Sequence, residues 1–570
     1  MSDRHLKHWP PGVPRHLELP ETHLFHSVEA AARDCPDKPY LIFYDTPIRY
    51  GRFKDEVEAL AGHLQQVCGV RKGERVLLFM QNSPQFVIGF HAILRADAVV
   101  VPVNPMNLTQ ELRHYISDAQ ASVALVAQEL YPQLKPLLAE GRGQTSSAPH
   151  ASDASETGLQ HVVVAAYSDY LEQPTDLRVP DFVSAPRMPV DDAGAVSWAN
   201  ALAARRVPAP ITVGPDDLAV LPYTSGTTAH PKGCMHTHRS VWFNMIARGV
   251  WLQSPPDGVQ LAVLPFFHVT GMQNAMNGTL YQQATAVLVP RWDREVALQC
   301  IERYKITGAQ MITAMVVDML SHPDIARFNL KSLTSIGGGG AAMPEAVAAK
   351  LQALLGLDYI EGYGMSETMA ATHINPTQRP MKQCLGIPIF DVDARVVDPA
   401  TLQELPPNEA GEIIVHGPQV MRGYWRNPQA NAEAFVLIDG KRFLRTGDLA
   451  RVDEDGYFFM VDRLKRMINA SGFKVWPAEV EALMYAHPAI QEVCVIAAPD
   501  AKRGETVKAV VVLRPAHQGQ VTEQDIVDWA HTQMAAYKSP RIVQFVAALP
   551  KSGAGKIQWR SLQERENAVQ

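Results

Sequence analysis

The residues best suited to chemistry begin with the stretch YTSGTTAHPKG at 223–233. Its small residues let backbone N–H groups approach an anion closely, its Ser and Thr hydroxyls add donors, and Lys232 adds a positive charge. Such a loop suits a polyphosphate. It is not a Walker A loop, because G-x-x-x-x-G-K-[ST] is absent. Further stretches carry complementary chemistry. GGGGAAMP at 337–344 leaves an open backbone face for a planar ring. EGYGMSET at 361–368 sets the aromatic face of Tyr363 near Glu367, a hard oxygen ligand. Asp448, in Thr446-Gly447-Asp448, offers a carboxylate that can accept two hydroxyl hydrogen bonds at once. LPKSGAGKI at 549–557 puts Lys556 on a glycine-rich loop. From there a lysine can reach an attacking carboxylate and a phosphate together.

The elements that must position these groups follow from hydrophobic spacing. Residues 26–32 and 53–67 read as amphipathic helices; 75–80, 98–103 and 121–127 read as short apolar strands. Strands spaced by helices predict βαβ units and a mostly parallel, buried sheet. The 223–233 stretch follows an expected strand at 217–222 and precedes an expected helix at 239–248. GGGGAAMP is expected to follow a strand and open a helix, and Thr446-Gly447-Asp448 to end a short strand. Residues 141–158 (GRGQTSSAPHASDASETG) lack a periodic apolar face and read as a surface loop or flexible insertion. The rhythm changes over about 386–460, where short strands are punctuated by Gly and Pro, as in a small antiparallel subdomain or barrel. A fresh α+β pattern follows: helices at 477–486 and 523–534, strands at 492–497, 507–514 and 542–546.

The motifs at 223–233, 337–344, 361–368, 446–448, 462–465 and 549–557, with PFFHVTG at 265–271, resemble in order those of the adenylate-forming enzymes. That superfamily includes acyl-CoA synthetases, aryl-CoA ligases, luciferases and nonribosomal adenylation domains. The resemblance covers about 26–565. It implies an α/β fold with a large N-terminal domain of layered sheets (1–462, with the small β-barrel-like subdomain), a hinge at 463–465, and a small mobile α+β C-terminal domain (466–570). It also implies a set of roles. Thr224, Ser225, Gly226, Thr227, Thr228 and Lys232 would cradle the phosphates of ATP. Gly339, Gly340, Ala341, Glu361, Gly362, Tyr363, Gly364, Met365 and Ser366 would hold the adenine end. Glu367 and Thr224 would bind Mg²⁺. Asp448 would clamp the ribose, with Arg463 adding a nucleotide contact. Lys465 would be the hinge residue, Ser471 and Gly472 would flank the path of coenzyme A, Lys556 would be catalytic, and His268 would orient the acid's carboxylate or gate its pocket. Two residues depart from the common pattern: Ala229, where Gly is usual, and Asn469, where plant aryl-CoA ligases and luciferases carry Lys. The segment MINASGFK at 467–474 resembles bacterial fatty acyl-CoA ligases more closely.

The expected reaction has two steps: a carboxylate attacks the α-phosphate of ATP to give an acyl-adenylate and pyrophosphate, then the thiol of coenzyme A displaces AMP. By resemblance the acid pocket is lined largely by 265–370. Met272, Met276, Met311, Met315, Met319 and Trp292 lie in that segment, and no Arg or Lys there calls for a dicarboxylate. Adaptable methionines fit a flexible alkyl chain, so a medium- or long-chain fatty acid is expected, with an aryl acid as alternative. Little sequence follows Lys556, favouring a stand-alone CoA ligase over a nonribosomal module. A free adenylating enzyme that loads a carrier protein is the other alternative, and a non-catalytic nucleotide-binding protein is the rival class.

Composition narrows the remaining classes. The chain has 570 residues, 46% of them hydrophobic and 19% charged, enough for a sizeable core. Its formal charge of -7 argues against nucleic acid as partner. No apolar run reaches the ~18–20 residues a membrane span needs, so membrane contact is expected to be peripheral at most. The N-terminus lacks a secretory h-region. The six cysteines are widely spaced with no C-x-x-C pair, pointing to free thiols and a reducing cytoplasm. A monomer or homodimer is expected. A dehydrogenase is excluded because the 337–340 glycines do not form G-x-G-x-x-G.

Overall fold

The computed structural model describes residues 3–144, 158–224, 231–339, 343–463, 466, 468–470, 473–500, 504–552 and 556–568. The chain forms two compact units: Leu6–Asp393 with His416–Arg442, and Met1–His5 with Ala394–Val415 and Phe443–Gln570. The small sheet expected to belong with the N-terminal body is thus grouped mainly with the C-terminal residues.

The larger unit contains two layered sheets. The first runs in the order His236–Thr237, Leu218–Val220, Val99–Pro102, Arg75–Phe79, Val123–Ala127, His161–Ala165, Ala195–Ser197. All neighbours are parallel except the first pair. Val99–Pro102 and Val123–Ala127 are buried at every position, as β-branched strands covered on both faces must be. The helix Pro84–Arg95 is also buried throughout, capped by Ser83 and started by Pro84. Its Gly89 lies so near Leu78 and Leu125 that a Cβ would come within 2.9 Å of the latter.

The second sheet has nine strands: Ile387–Pro388, Ala370–Ile374, Tyr359–Met365, Ser335–Gly339, Gly308–Gln310, Val259–Ala262, Thr285–Leu288, Pro39–Phe43, Thr46–Arg49. Its centre is parallel and its edges antiparallel. Gly337, Gly338 and Gly339 are inside a strand rather than in the lead-in to a helix. After Val259–Ala262 the chain turns through His268 into a π-helical segment, Met272–Asn277. Such segments are rare and often sit at functional sites.

Two other elements differ from the sequence expectation. Residues 141–144, expected as loop, are the last turn of the helix Tyr131–Gln144. The helix persists because Gly141 abuts the backbone of Gly158 and Leu159, where a Cβ would lie 2.2 Å from the Leu159 carbonyl oxygen. The remainder of that insertion, 145–157, is outside the described residues. Thr446-Gly447-Asp448 does not end a short strand but lies within the long strand Lys441–Val452.

In the smaller unit, Asp393–Val397, Gly411–His416, Lys441–Val452 and Phe458–Arg463 belong to one sheet, the small antiparallel subdomain expected near 386–460. A second sheet pairs Ile490–Asp500 with Gly504–Leu513, which also pairs in parallel with Ile542–Phe545. Helices Pro477–Met484 and Glu523–Gln533 cover it through Val480, Met484 and Ile526.

Candidate functional site

Tyr223–Thr224 and Lys232–Gly233 form a short antiparallel ribbon with Thr224 opposite Lys232. The two ends of the hydroxyl-rich stretch are therefore held side by side. Ser225, Gly226, Thr227 and Thr228 themselves lie outside the described residues. The ribbon is anchored from below: the Tyr223 hydroxyl donates to Asp118 at 2.5 Å, and its ring lies 4.5 Å from that of Tyr115. Trp425 donates through Nε1 to the Asp118 carbonyl and through its backbone N–H to Gly233. The His114 Nε2 lies 3.0 Å from the Pro231 carbonyl oxygen. The Thr224 hydroxyl is buried and meets no hydrogen-bond partner among the described residues.

The ribbon packs against the 3-10 turn Ser366–Thr368, which carries Glu367. Here folding adds a residue that the sequence did not reveal. The Tyr424 hydroxyl donates to Glu367 Oε1 at 2.8 Å, and the Lys232 ammonium lies 4.1 Å over the Tyr424 ring. Burial and the neighbouring carboxylate raise the phenol above its ordinary value, so it remains a donor. Asn431 fixes Tyr424 by bonding both its N–H and its carbonyl. The turn itself is tied on three sides. Met421 N–H donates to the Glu367 carbonyl, and Asn244 Nδ2 to that of Thr368. His236 Nε2 lies 2.7 Å from the Ser366 carbonyl. Burial depresses His236 to about 4, so it is neutral at pH 7, and its partner requires the proton on Nε2.

Among the described residues, no group of three or more His, Cys, Asp or Glu is arranged to hold a metal ion. Glu367 with the unpartnered Thr224 hydroxyl is instead a sparse oxygen donor set. It fits Mg²⁺, which keeps waters and binds through one carboxylate together with substrate phosphates.

Glu361 has a different part. Its buried carboxylate accepts the N–H groups of Met343 at 2.7 Å and Cys384 at 3.0 Å, so it holds the loops flanking the glycine strand. Burial pushes its carboxyl above the usual range. Gly338 is required by crowding, since a Cβ would meet the Tyr359 hydroxyl at 2.3 Å and the Met311 carbonyl at 2.4 Å. Gly339 and Gly362 are partners across the ladder. A Cβ on Gly364 would collide with the Ala370 carbonyl, and Met365 pairs with Ala370. Tyr363 is buried edge-on against His373, 5.6 Å between centroids. Gly340 and Ala341 lie outside the described residues. His268 is half-buried and accepts the Thr270 N–H on Nδ1 at 3.3 Å. Met272, Met276, Met311 and Met319 are buried, and Trp292 donates to Asp318.

In the smaller unit, Asp448 is buried at a bulge in its strand, opposite Arg463. Gly447 has φ +68°, and its N–H donates to Glu412; the Asp448 N–H donates to the Thr446 hydroxyl. These bonds aim the carboxylate. Asp462 caps the helix Pro477–Met484 by accepting the Ala478 N–H at 2.7 Å, and Arg466 pairs with Glu481. Lys465, Ser471 and Gly472 lie outside the described residues. Lys556 is exposed, while its backbone is pinned: its carbonyl accepts the Ser552 N–H, and its N–H donates to Ser552 Oγ. Leu549, Ile557 and Trp559 root this loop against Cys494 and Ile496.

Comparison with known proteins gives this geometry a context. The family model of the AMP-binding enzyme matches residues 28–425, and that of the AMP-binding enzyme C-terminal domain matches 479–556. A long-chain-fatty-acid–CoA ligase of Bacillus subtilis (strain 168) is 34% identical over 98% of each chain. A feruloyl-CoA synthase of Amycolatopsis sp is 33% identical over 92% of this chain and 95% of its own. The crystal structure of ATP-bound MatB from Rhodopseudomonas palustris superposes with a TM-score of 0.82 at 26% identity, covering 97% of this chain and all of that one. Matched over most of its length in sequence and fold, this chain belongs to the AMP-binding enzyme family as an ATP-dependent, AMP-forming acyl-CoA synthetase.

Proposed function

We propose that the enzyme activates a medium- or long-chain fatty acid and transfers it to coenzyme A. The observation that carries the chemistry is the grouping of Thr224, Lys232, Glu367 and Tyr424 at one end of the ribbon. Buried methionines and a π-helical segment behind His268 support a flexible, apolar acid. An aryl acid is the second reading, favoured by the feruloyl-CoA synthase being nearly as similar as the fatty acid ligase.

In this reading the acid's carboxylate attacks the α-phosphorus of ATP. The pyrophosphate oxygen leaves with the bonding pair, forming a mixed anhydride. The thiol then attacks the carbonyl carbon and AMP leaves. Residues 224–228 and Lys232 bind the phosphates. Residues 339–341 and Tyr363 bind adenine, and Glu361 keeps that backbone in place. Asp448 and Arg463 bind the ribose, His268 orients the acid, and Lys556 joins carboxylate and α-phosphate. Magnesium, held by Glu367 and Thr224, supplies charge neutralisation at the phosphates. Lys465 acts as a pivot between the two steps, and Ser471 and Gly472 border the thiol path. Six free cysteines agree with a reducing cytoplasm.

Acid-dependent ATP–pyrophosphate exchange over alkanoic acids of increasing length and a set of aryl acids tests the reading, repeated with coenzyme A for AMP release. Exchange peaking on an alkyl acid, with AMP release on adding coenzyme A, is expected. A peak on aryl acids favours the second reading, and absence of exchange with every acid overturns both.

A further inference from the structure

Within 265–370 no Arg or Lys is matched to a second polar group on the acid. The helix His238–Trp251, outside that segment, supplies such a cation. Arg248 is on this helix one turn beyond Asn244, whose amide is tied to the Thr368 carbonyl beside Glu367. Its guanidinium reaches Gln310 at the end of the strand Gly308–Gln310. Because a guanidinium has only donors, the Gln310 amide must present its oxygen, which then accepts from Nε at 2.9 Å and also from an Nη. Among the described residues Arg248 forms no ion pair with any carboxylate. The residue as a whole is half-buried, and protein encloses its charged end closely enough that burial alone lowers the pKa to about 10. With one neutral partner, most of its five N–H donors remain available to another acceptor.

A run of glycines lies on the same side of the sheet as that pair. Gln310 pairs with Gly337, and Gly339 with Gly362. Alternation along the strands puts Gln310, Gly337, Gly339 and Gly362 on one face of the sheet. Gln310 is thus the side chain among these four positions, and the backbone of the neighbouring strands closes over Gly337 and Gly339. Gln260, the buried polar neighbour over Gly308, is neutral as well.

We propose that Arg248, set by Gln310, is a specificity residue that binds an oxygen carried on the body of the acid, so that the acid is an oxygenated one (hydroxy-, oxo- or dicarboxylic) rather than a plain alkanoic acid. The inference rests on the acyl-CoA synthetase reading and refines its substrate.

The test compares kcat/KM in pyrophosphate exchange for acids of one chain length: unsubstituted, hydroxy, oxo and dicarboxylic. In the wild-type enzyme at least one oxygenated acid is expected to exceed the unsubstituted one about tenfold or more, the scale of a hydrogen bond to a charged group. In Arg248→Met that ratio falls to near one, and Arg248→Lys recovers part of it. Each ratio is measured within a single preparation, so loss of folded protein cancels. The hydroxy and oxo arms against the dicarboxylic arm tell a neutral oxygen from a second carboxylate. A wild-type ratio near one, or a ratio unchanged in Arg248→Met, overturns the proposal while leaving the synthetase reading intact. No exchange with any acid overturns the synthetase reading itself.

Discussion

The Tyr424 hydroxyl holds the Glu367 carboxylate at 2.8 Å while the Lys232 ammonium sits 4.1 Å over the same phenol ring. One aromatic side chain therefore orients both the anionic and the cationic member of the proposed nucleotide site. Partners that orient a metal ligand typically affect affinity or activity by about 10–100-fold. Tyr424→Phe is expected to lower adenylation by about tenfold and to raise the Mg²⁺ concentration giving half-maximal rate. Pyrophosphate exchange at graded Mg²⁺ checks this; an unaltered Mg²⁺ curve refutes the orienting role.

Lys556 sits on a loop pinned by Ser552 and the Lys551–Ile557 bridge. Removing one preorganised donor at a developing charge costs ~10²–10³-fold, roughly 2.7–4 kcal/mol. Lys556→Ala should lose at least ~10²-fold in adenylation while melting at the wild-type temperature. An undiminished exchange rate would remove this lysine from the mechanism.

Lys465 stands in sequence between two fixed residues, Asp462 bonded to Ala478 and Arg466 paired with Glu481. Proline there locks φ at about −65° and removes an N–H. Lys465→Pro should keep pyrophosphate exchange and lose thioester formation. Measuring both half-reactions on one sample decides; parallel loss of the two contradicts a pivot.

Gly338 is enclosed by the Tyr359 hydroxyl and the Met311 carbonyl. Gly338→Ala forces the central strands apart, at a cost of about 1–3 kcal/mol for overpacking. A lower melting temperature and weaker ATP binding are expected together in thermal and calorimetric titrations. Tight ATP binding at full stability would contradict the crowding.

Acid should destabilise the protein through buried histidines. Burial depresses His91 and His238 to about 3 and His236 to about 4, from an ordinary 6.5. Below pH 6.5 the unfolded chain takes up protons that the folded one refuses, so stability falls as pH drops from 6.5 towards 4. At pH 5.5 each contributes a loss of about 1.4 kcal/mol. The melting temperature should decline over that window, and His91→Leu should flatten the decline. A profile with the same slope in the variant would assign the effect elsewhere.

Much of the fold was legible because its strands are short apolar runs separated by helices, as at 75–80, 98–103 and 121–127. The strand and helix around 223–233 were legible from the apolar run before it and the helical spacing after it. What was not legible has a common physical origin. Tyr424 and Arg248 gain meaning only from Glu367 and Gln310, partners far off in the sequence, and no local spacing announces such pairs. The glycines at 337–339 read in sequence as an open face between a strand and a helix, yet they lie within the strand, where crowding by neighbouring strands excludes side chains. Thr446-Gly447-Asp448 reads as the end of a strand because a bulge within a longer strand uses the same residues.

Gly141 and Gly158 stand back to back, with a Cβ on the latter falling 2.6 Å from the former's Cα. Whatever joins them begins and ends at one spot on the larger unit. Closing a longer tether across a fixed gap adds little entropy, about 0.6 kcal/mol per doubling. That doorway is therefore a natural place to splice in an epitope, a biotin acceptor or a fluorescent reporter, giving a handle for immobilising the enzyme.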